Sequence, residues 1–253
     1  MICCGIIRFV ITVFHHVIRW REGETSRRAR CGGGRLAVVK EGCCVGCRHD
    51  QAIDRAACAL KRGEAVIFPT DTVYGVGVAV RYVDAPARLF ELKRRGEGKP
   101  VAWLVGSLED LSRYGRNVAP YAVSLAQAFW PGALTLVVEA SKEVPEAYRS
   151  KEGSIGLRMP ASETALGLAR ATASPLATTS ANFSGGPAPK SHEDLDPAFS
   201  SQVGCVLVDE MAESGVASTV LDCRGSSPVI IRVGSIGEAD IDAVLSTLRS
   251  DEG

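Results

Sequence analysis

The chain has 253 residues, 46% of them hydrophobic and 23% charged, which is ordinary globular composition. Its 29 basic and 29 acidic side chains cancel, so overall charge gives no general attraction to nucleic acid or an anionic membrane. Nine cysteines, seven of them before residue 60, argue against a disulfide framework and fit a reducing, cytoplasmic compartment.

The first 47 residues differ from the rest. The apolar run 6–20 carries Arg8, His15 and His16 and is too short for a membrane span. Arg19, Arg21, Arg27, Arg28 and Arg30 follow, without a convincing cleavage site. An organelle transit peptide fits this composition, but a disordered or non-native extension over 1–47 is the preferred reading. Cys44, Cys47 and His49 have the spacing of half a zinc site, and no second half follows, so no metal site is expected.

From residue 48 to 250 the pattern is that of one domain. Ile53, Ala56, Ala57 and Leu60 share a helical face over 50–62, and Gly63 stops it. An apolar strand over 65–68 ends in Pro69-Thr70-Asp71-Thr72, and an apolar run resumes to Val80. Asp71 is expected to cap its own turn. Gly75 and Gly77 are expected to let a ligand approach the backbone. Asp84 and Pro86 predict a capped helix that delivers Lys93-Arg94-Arg95. A loop over 96–100 and a buried strand over 101–105 come next.

Ser107 and Asp110 predict a capping box. A helix over 120–129 is broken by Trp130-Pro131-Gly132. Strands are predicted over 134–138, 155–159 and 176–178, with a helix over 164–171. Residues 179–187, Thr-Ser-Ala-Asn-Phe-Ser-Gly-Gly-Pro, read as a loop. Strands over 206–208, 219–221 and 229–233 lead to a closing helix with Ile241, Val244, Leu245 and Leu248 on one face. Strands and helices mix without strict alternation, which predicts an α/β (mixed α+β) fold.

Several catalytic signatures are missing. There is no HExxH, no complete P-loop around Lys99, and no GxSxG context for Ser180. Only His192 among the four histidines lies inside the patterned region. What remains at strand ends and glycine-rich loops is Thr72, Lys93, Arg95, Lys99, Arg158, Ser180, Asn182, Ser218 and Arg232. Five cations with few nearby acids suit phosphates and carboxylates. Arg158 and Arg232 stand in apolar runs, where an unpaired charge is expensive, so each needs a partner, whether a structural ion pair or a ligand.

Seven segments, in order, resemble the YrdC/Sua5 family. They are Ile67-Phe68-Pro69-Thr70-Asp71-Thr72-Val73-Tyr74-Gly75-Val76-Gly77; Lys93-Arg94-Arg95 with Lys99-Pro100; Trp130-Pro131-Gly132-Ala133-Leu134-Thr135; Gly156-Leu157-Arg158-Met159-Pro160; Thr179-Ser180-Ala181-Asn182-Phe183-Ser184-Gly185; Ala217-Ser218-Thr219-Val220; and Ile231-Arg232-Val233-Gly234. The resemblance implies a twisted open mixed sheet with flanking helices around a positively charged cavity. It implies synthesis of L-threonylcarbamoyladenylate from L-threonine, bicarbonate or carbon dioxide, and ATP, with release of pyrophosphate. That makes the chain a nucleotidyltransferase, with Mg²⁺ carried by ATP. The product would feed a tRNA-modifying transferase complex that modifies adenosine 37, and contact with tRNA or double-stranded RNA is a further expectation.

Carried over by position, Lys93, Arg95, Ser180 and Asn182 form the catalytic set. Thr72, Arg158, Ser180 and Ser218 would hold L-threonine. Arg95, Lys99, Ser154, Asn182 and Arg232 would hold ATP, and Lys93 would neutralise phosphate charge. Leu104 stands where some members use a histidine, and Lys190 where a small hydroxyl residue is common. The second domain of longer members is not expected here. The competing readings are an RNA-binding module using the same cationic cavity and a paralogue without synthase activity. Zero net charge and the lack of an aromatic stacking platform oppose the first; the intact Lys93/Arg95/Ser180/Asn182 set opposes the second.

Overall fold

The computed structural model describes residues 36–38, 49–94, 101–208 and 214–251. Among them the chain runs β1 (Leu36–Val38), α1 (His49–Lys61), β2 (Val66–Phe68), β3 (Gly75–Ala79), α2 (Ala87–Lys93) and β4 (Ala102–Leu104). It continues through α3 (Asp110–Tyr114), β5 (Gly115–Arg116), α4 (Pro120–Phe129), β6 (Leu134–Ala140), β7 (Ser154–Arg158) and α5 (Glu163–Thr172). It closes with β8 (Leu176–Ser180), α6 (Pro197–Ser200), β9 (Cys205–Val208), β10 (Thr219–Asp222), β11 (Val229–Arg232) and α7 (Glu238–Asp251). The strands form one mixed sheet in the order β1-β9-β2-β3-β8-β4-β7-β6-β10-β11, with β5 paired to β6.

The period of two along each strand sorts side chains onto two faces. One face carries Ile67, Val76, Val78, Trp103, Leu134, Leu136, Ile155, Leu157, Ala177 and Leu221, buried with side chains of α2, α3, α4 and α7. The other face is covered only in part. There Val66, Phe68, Ala79, Leu104, Leu176 and Leu207 pack against Ile53, Ala56 and Leu60 of α1 and Ala165, Leu168 and Ala169 of α5. Beyond these two helices the same face of β4, β6, β7, β8 and β10 is left open, and the cavity described below lies there.

β1 pairs antiparallel with β9; the rest of 1–47, Cys44 and Cys47 included, lies outside the described residues. Three local expectations are corrected. α2 begins after Pro86 with no side-chain cap, so Pro86 rather than Asp84 holds the cap position. The Asp110 carboxylate accepts from Gly106 N at 3.1 Å and Ser107 N at 3.2 Å, while Ser107 makes no cap. Thr179 and Ser180 belong to β8, paired with Val76 and Gly75, rather than to a loop. No described helix is long and apolar enough to cross a membrane.

Candidate active site

The open part of the sheet face forms a cavity of about 490 Å³. Its floor follows the strand alternation: Ala102 and Leu104 from β4, Thr135 and Val137 from β6, Ser154, Gly156 and Arg158 from β7, Thr178 and Ser180 from β8, and Val220 from β10. Thr70, Thr72 and Val73 wall it from the turn after β2, and Ala217, Ser218 and Arg232 from the opposite side. Glu152 and Arg224 line it as well, so hydroxyls, three guanidiniums and one carboxylate face one partly open space.

The turn after β2 is built by Thr70. Its hydroxyl donates to Val73 O at 2.7 Å and accepts from Thr72 N and Val73 N. Thr70 has one hydroxyl proton, already donated, so in the 3.0 Å contact between the two threonines Thr72 is the donor. Thr72 Oγ1 accepts from Arg158 Nη1 at 3.0 Å. Arg158 is 6% exposed. Its Nε donates to Gly132 O at 2.9 Å and its Nη2 pairs with Asp71 Oδ1 at 2.5 Å. Arg158 thus has the partner that burial demands, and the partner is Asp71, which does not cap its own turn.

Across the cavity, Arg232 donates from Nε and Nη2 to Ser218 O at 3.1 and 2.8 Å, and from Nη2 to Ser218 Oγ at 3.2 Å. Ser218 Oγ also meets Thr135 Oγ1 at 3.0 Å. Desolvation, then the charge of Arg158, lowers the pKa of Arg232 below the ordinary guanidinium value. An anion bound beside Arg232 would offset both causes of that shift.

Lys93 is 4% exposed and does not reach the cavity. Its ammonium donates to Ser180 O at 2.7 Å, Asn182 O at 2.8 Å and Asn182 Oδ1 at 3.1 Å. Ser180 Oγ donates to Asn182 Oδ1 at 2.5 Å. Asn182 Nδ2 donates to Phe183 O and Gly186 O, which uses both of its N–H groups inside its own loop. Ser184 N returns to Lys93 O at 3.1 Å, and the Arg94 guanidinium lies 4.6 Å from the Phe183 ring centroid. The end of α2 and the segment after β8 are one interlocked unit.

Of the residues singled out in the sequence, Thr72, Ser154, Arg158, Ser180, Ser218 and Arg232 line the cavity. Lys93 and Asn182 stand behind Ser180 and fix it. Arg95 and Lys99 lie outside the described residues. Gly75 lines the cavity, as expected, and Gly77 does not. A Cβ on either would meet the Thr178 side chain at 2.9 or 2.8 Å, and Phe68 lies next to both, so both glycines also make room for protein side chains. Asp71, Thr70 and Thr135 belong to the site and were not among the residues singled out. The Thr-Asp-Thr triplet at a strand end was the available signal for the first two. Among the described residues no three His, Cys, Asp or Glu side chains are grouped to hold a metal ion.

Comparison with known proteins fits this geometry. Residues 58–234 match the model of the Sua5/YciO/YrdC domain, whose description reads "Telomere recombination". A threonylcarbamoyl-AMP synthase of Pyrococcus abyssi is 36% identical over 77% of this chain and 57% of its own length. One of Bacillus subtilis is 33% identical over 81% of this chain and 60% of its own. The crystal structure of P. abyssi Sua5 complexed with L-threonine superposes with a TM-score of 0.73 at 36% identity, covering 78% of this chain and 58% of that one. The chain therefore spans under two thirds of the length of these relatives.

Proposed function

The chain belongs to the Sua5/YciO/YrdC family, and from that premise we propose that it makes L-threonylcarbamoyladenylate from L-threonine, bicarbonate or carbon dioxide, and ATP, releasing pyrophosphate. The observation that carries this reading is the placing of Arg158 and Arg232 in the lining of one hydroxyl-rich cavity of about 490 Å³. That volume is of the order that holds a small organic ligand. One guanidinium suits the amino-acid carboxylate and the other the nucleotide phosphates.

In the reaction the threonine amine forms a bond to the carbon of CO₂ and loses a proton. A carbamate oxygen then attacks the α-phosphorus, and pyrophosphate departs. Arg158, Thr72, Ser180 and Ser218 would orient L-threonine; Arg232 and Ser154, joined by Arg95 and Lys99, would orient ATP. Catalysis is positioning plus cationic stabilisation, with no covalent enzyme intermediate. Lys93 and Asn182 contribute by holding Ser180. Magnesium, carried by the nucleotide, would supply further neutralisation of phosphate charge. The product is a mixed anhydride, suited to a transferase that modifies adenosine 37 of tRNA. The free thiols of Cys58, Cys205 and Cys223 suit work in the cytoplasm.

The test is pyrophosphate release from ATP with bicarbonate, with and without L-threonine. Wild type should release pyrophosphate only with L-threonine, and Arg232→Ala should lose roughly 10- to 100-fold in kcat/KM, the scale of a charge-assisted contact. Folded wild type that releases nothing above the threonine-free control would end the synthase reading.

A further inference from the structure

Asp71 is the acid paired with the buried Arg158, and nothing assigned so far uses it. The local structural task open to it, capping its own turn, is performed by the Thr70 hydroxyl. The Asp71 side chain instead crosses to Arg158, 87 residues away in sequence. The pair is buried, with side chains 7% and 15% exposed for Arg158 and Asp71. Buried ion pairs contribute little net stability, because desolvating both charges offsets their attraction. Their use is orientation, and here orientation bears directly on the cavity. Arg158 has five N–H groups. Gly132 O takes Nε–H, Thr72 Oγ1 takes one on Nη1, and Asp71 Oδ1 takes one on Nη2. One N–H is left on each terminal nitrogen, the number a bidentate carboxylate requires. The three anchors also fix the guanidinium plane, since they engage all three nitrogens.

Charge points the same way. Arg224, a third guanidinium of the lining, has its own carboxylate in Asp222 at 2.6 Å. Without Asp71 the buried Arg158 would lack its carboxylate partner and would draw a phosphate or any small anion to the amino-acid end. With Asp71 the Arg158 end is locally neutral, while Arg232 keeps its positive charge beside Ser218. A zwitterion suits the first environment and a polyphosphate the second.

We propose that Asp71 is a positioning residue of the amino-acid subsite: by holding the Arg158 guanidinium it presents a fixed two-point contact to the carboxylate of the substrate and reserves that end of the cavity for an amino acid over a simple anion. The inference rests on the synthase reading for the identity of the amino acid.

The experiment is calorimetric titration of the full chain with L-threonine, with ATP and with inorganic phosphate, alongside pyrophosphate release. Asp71→Ala should weaken L-threonine tenfold or more while ATP stays within twofold, and phosphate should bind more tightly than to wild type. Asp71→Asn, which keeps an oxygen acceptor of the same size at the same place, should recover most of the L-threonine loss; it is also the variant to read if Asp71→Ala fails to fold. A general structural defect would weaken L-threonine and ATP together. L-threonine affinity within twofold of wild type in both variants, equal loss for both ligands, or no recovery by Asn overturns the proposal. Wild type that binds L-threonine without releasing pyrophosphate ends the synthase reading while the binding series still decides the role of Asp71. Wild type that binds no L-threonine overturns both.

Discussion

At the scale of single residues, the site separates groups that meet the ligand from groups that hold them. Lys93 is the sharpest case. A lysine at the end of a helix, next to two arginines, suggests a phosphate contact from sequence, because cations near anions are the common use of that pattern. The structure buries its ammonium against Ser180 O, Asn182 O and Asn182 Oδ1. Removing it takes the charged donor from Asn182 O and from Ser180 O, which keeps the Asn182 N–H at 2.9 Å; each lost contact is worth about 1–3 kcal/mol. Lys93→Met should therefore lower unfolding free energy by about 2–4 kcal/mol and lower activity with it. Arg232→Ala should leave the unfolding free energy within about 1 kcal/mol of wild type, since that residue is exposed on the outermost strand, β11. Urea unfolding of both variants checks the contrast. A Lys93→Met midpoint equal to that of wild type would mean the ammonium does not anchor the 180–182 segment.

At the scale of elements, the cavity is the part of a sheet face that α1 and α5 leave uncovered. Gly156, in the middle of β7, is what keeps its floor open. A Cβ there would meet Thr135 Cγ2 at 3.5 Å, Ala102 Cβ at 3.7 Å and Ala102 Cα at 3.9 Å, ordinary contact distances. Gly156→Ala should fold and bind nearly as wild type. Gly156→Leu should retain stability within about 1 kcal/mol while losing L-threonine-dependent turnover, because the larger side chain projects into the cavity. Thermal melting and pyrophosphate release on the pair separate space-filling from misfolding; an active Gly156→Leu would place the substrate elsewhere. The same geometry explains what the sequence concealed. Predicted helices over 50–62, 120–129 and 164–171 match α1, α4 and α5 closely, because their apolar stripes face a dry core. β8 was cut short at residue 178 because Thr179 and Ser180 look like loop residues. They are strand residues beside a polar cavity, where an inward-facing position need not be apolar. Asp71 was assigned to its own turn for a related reason: its partner is remote in sequence, and local rules see only local partners.

At the scale of the whole molecule, the two faces of the sheet divide the work. The face against α2, α3, α4 and α7 is apolar and continuous, and the six cavity residues foreseen from sequence sit on or beside the other. The alternation of buried apolar and cavity-facing polar residues made the fold class legible, whereas the order of strands β9, β2, β3, β8 and β4 depends on long-range pairing that no local pattern carries. The apolar face also sets how stability depends on pH, because it buries ionisable groups in their neutral forms. Burial, then the neighbouring Asp222, pushes the Cys223 thiol from 9.0 to about 12. Burial, then Asp84, pushes the Tyr148 phenol well above its usual value, and its hydroxyl donates to Val83 O at 2.7 Å. Both groups have folded-state values raised above their unfolded ones. Their contribution is therefore complete below the unfolded values and is lost as pH rises from there towards the folded ones. Stability should be level from pH ~7 to ~8 and then fall, with the thiol accounting for about 1.5 kcal/mol by pH ~10 and the phenol adding its share above that. Cys223→Ala should start lower, from the lost packing, but should lose less than wild type between pH ~8 and ~10. Urea unfolding of both proteins across that range measures the difference in slope. Parallel curves would show that Cys223 ionises as readily in the folded protein as in the unfolded chain.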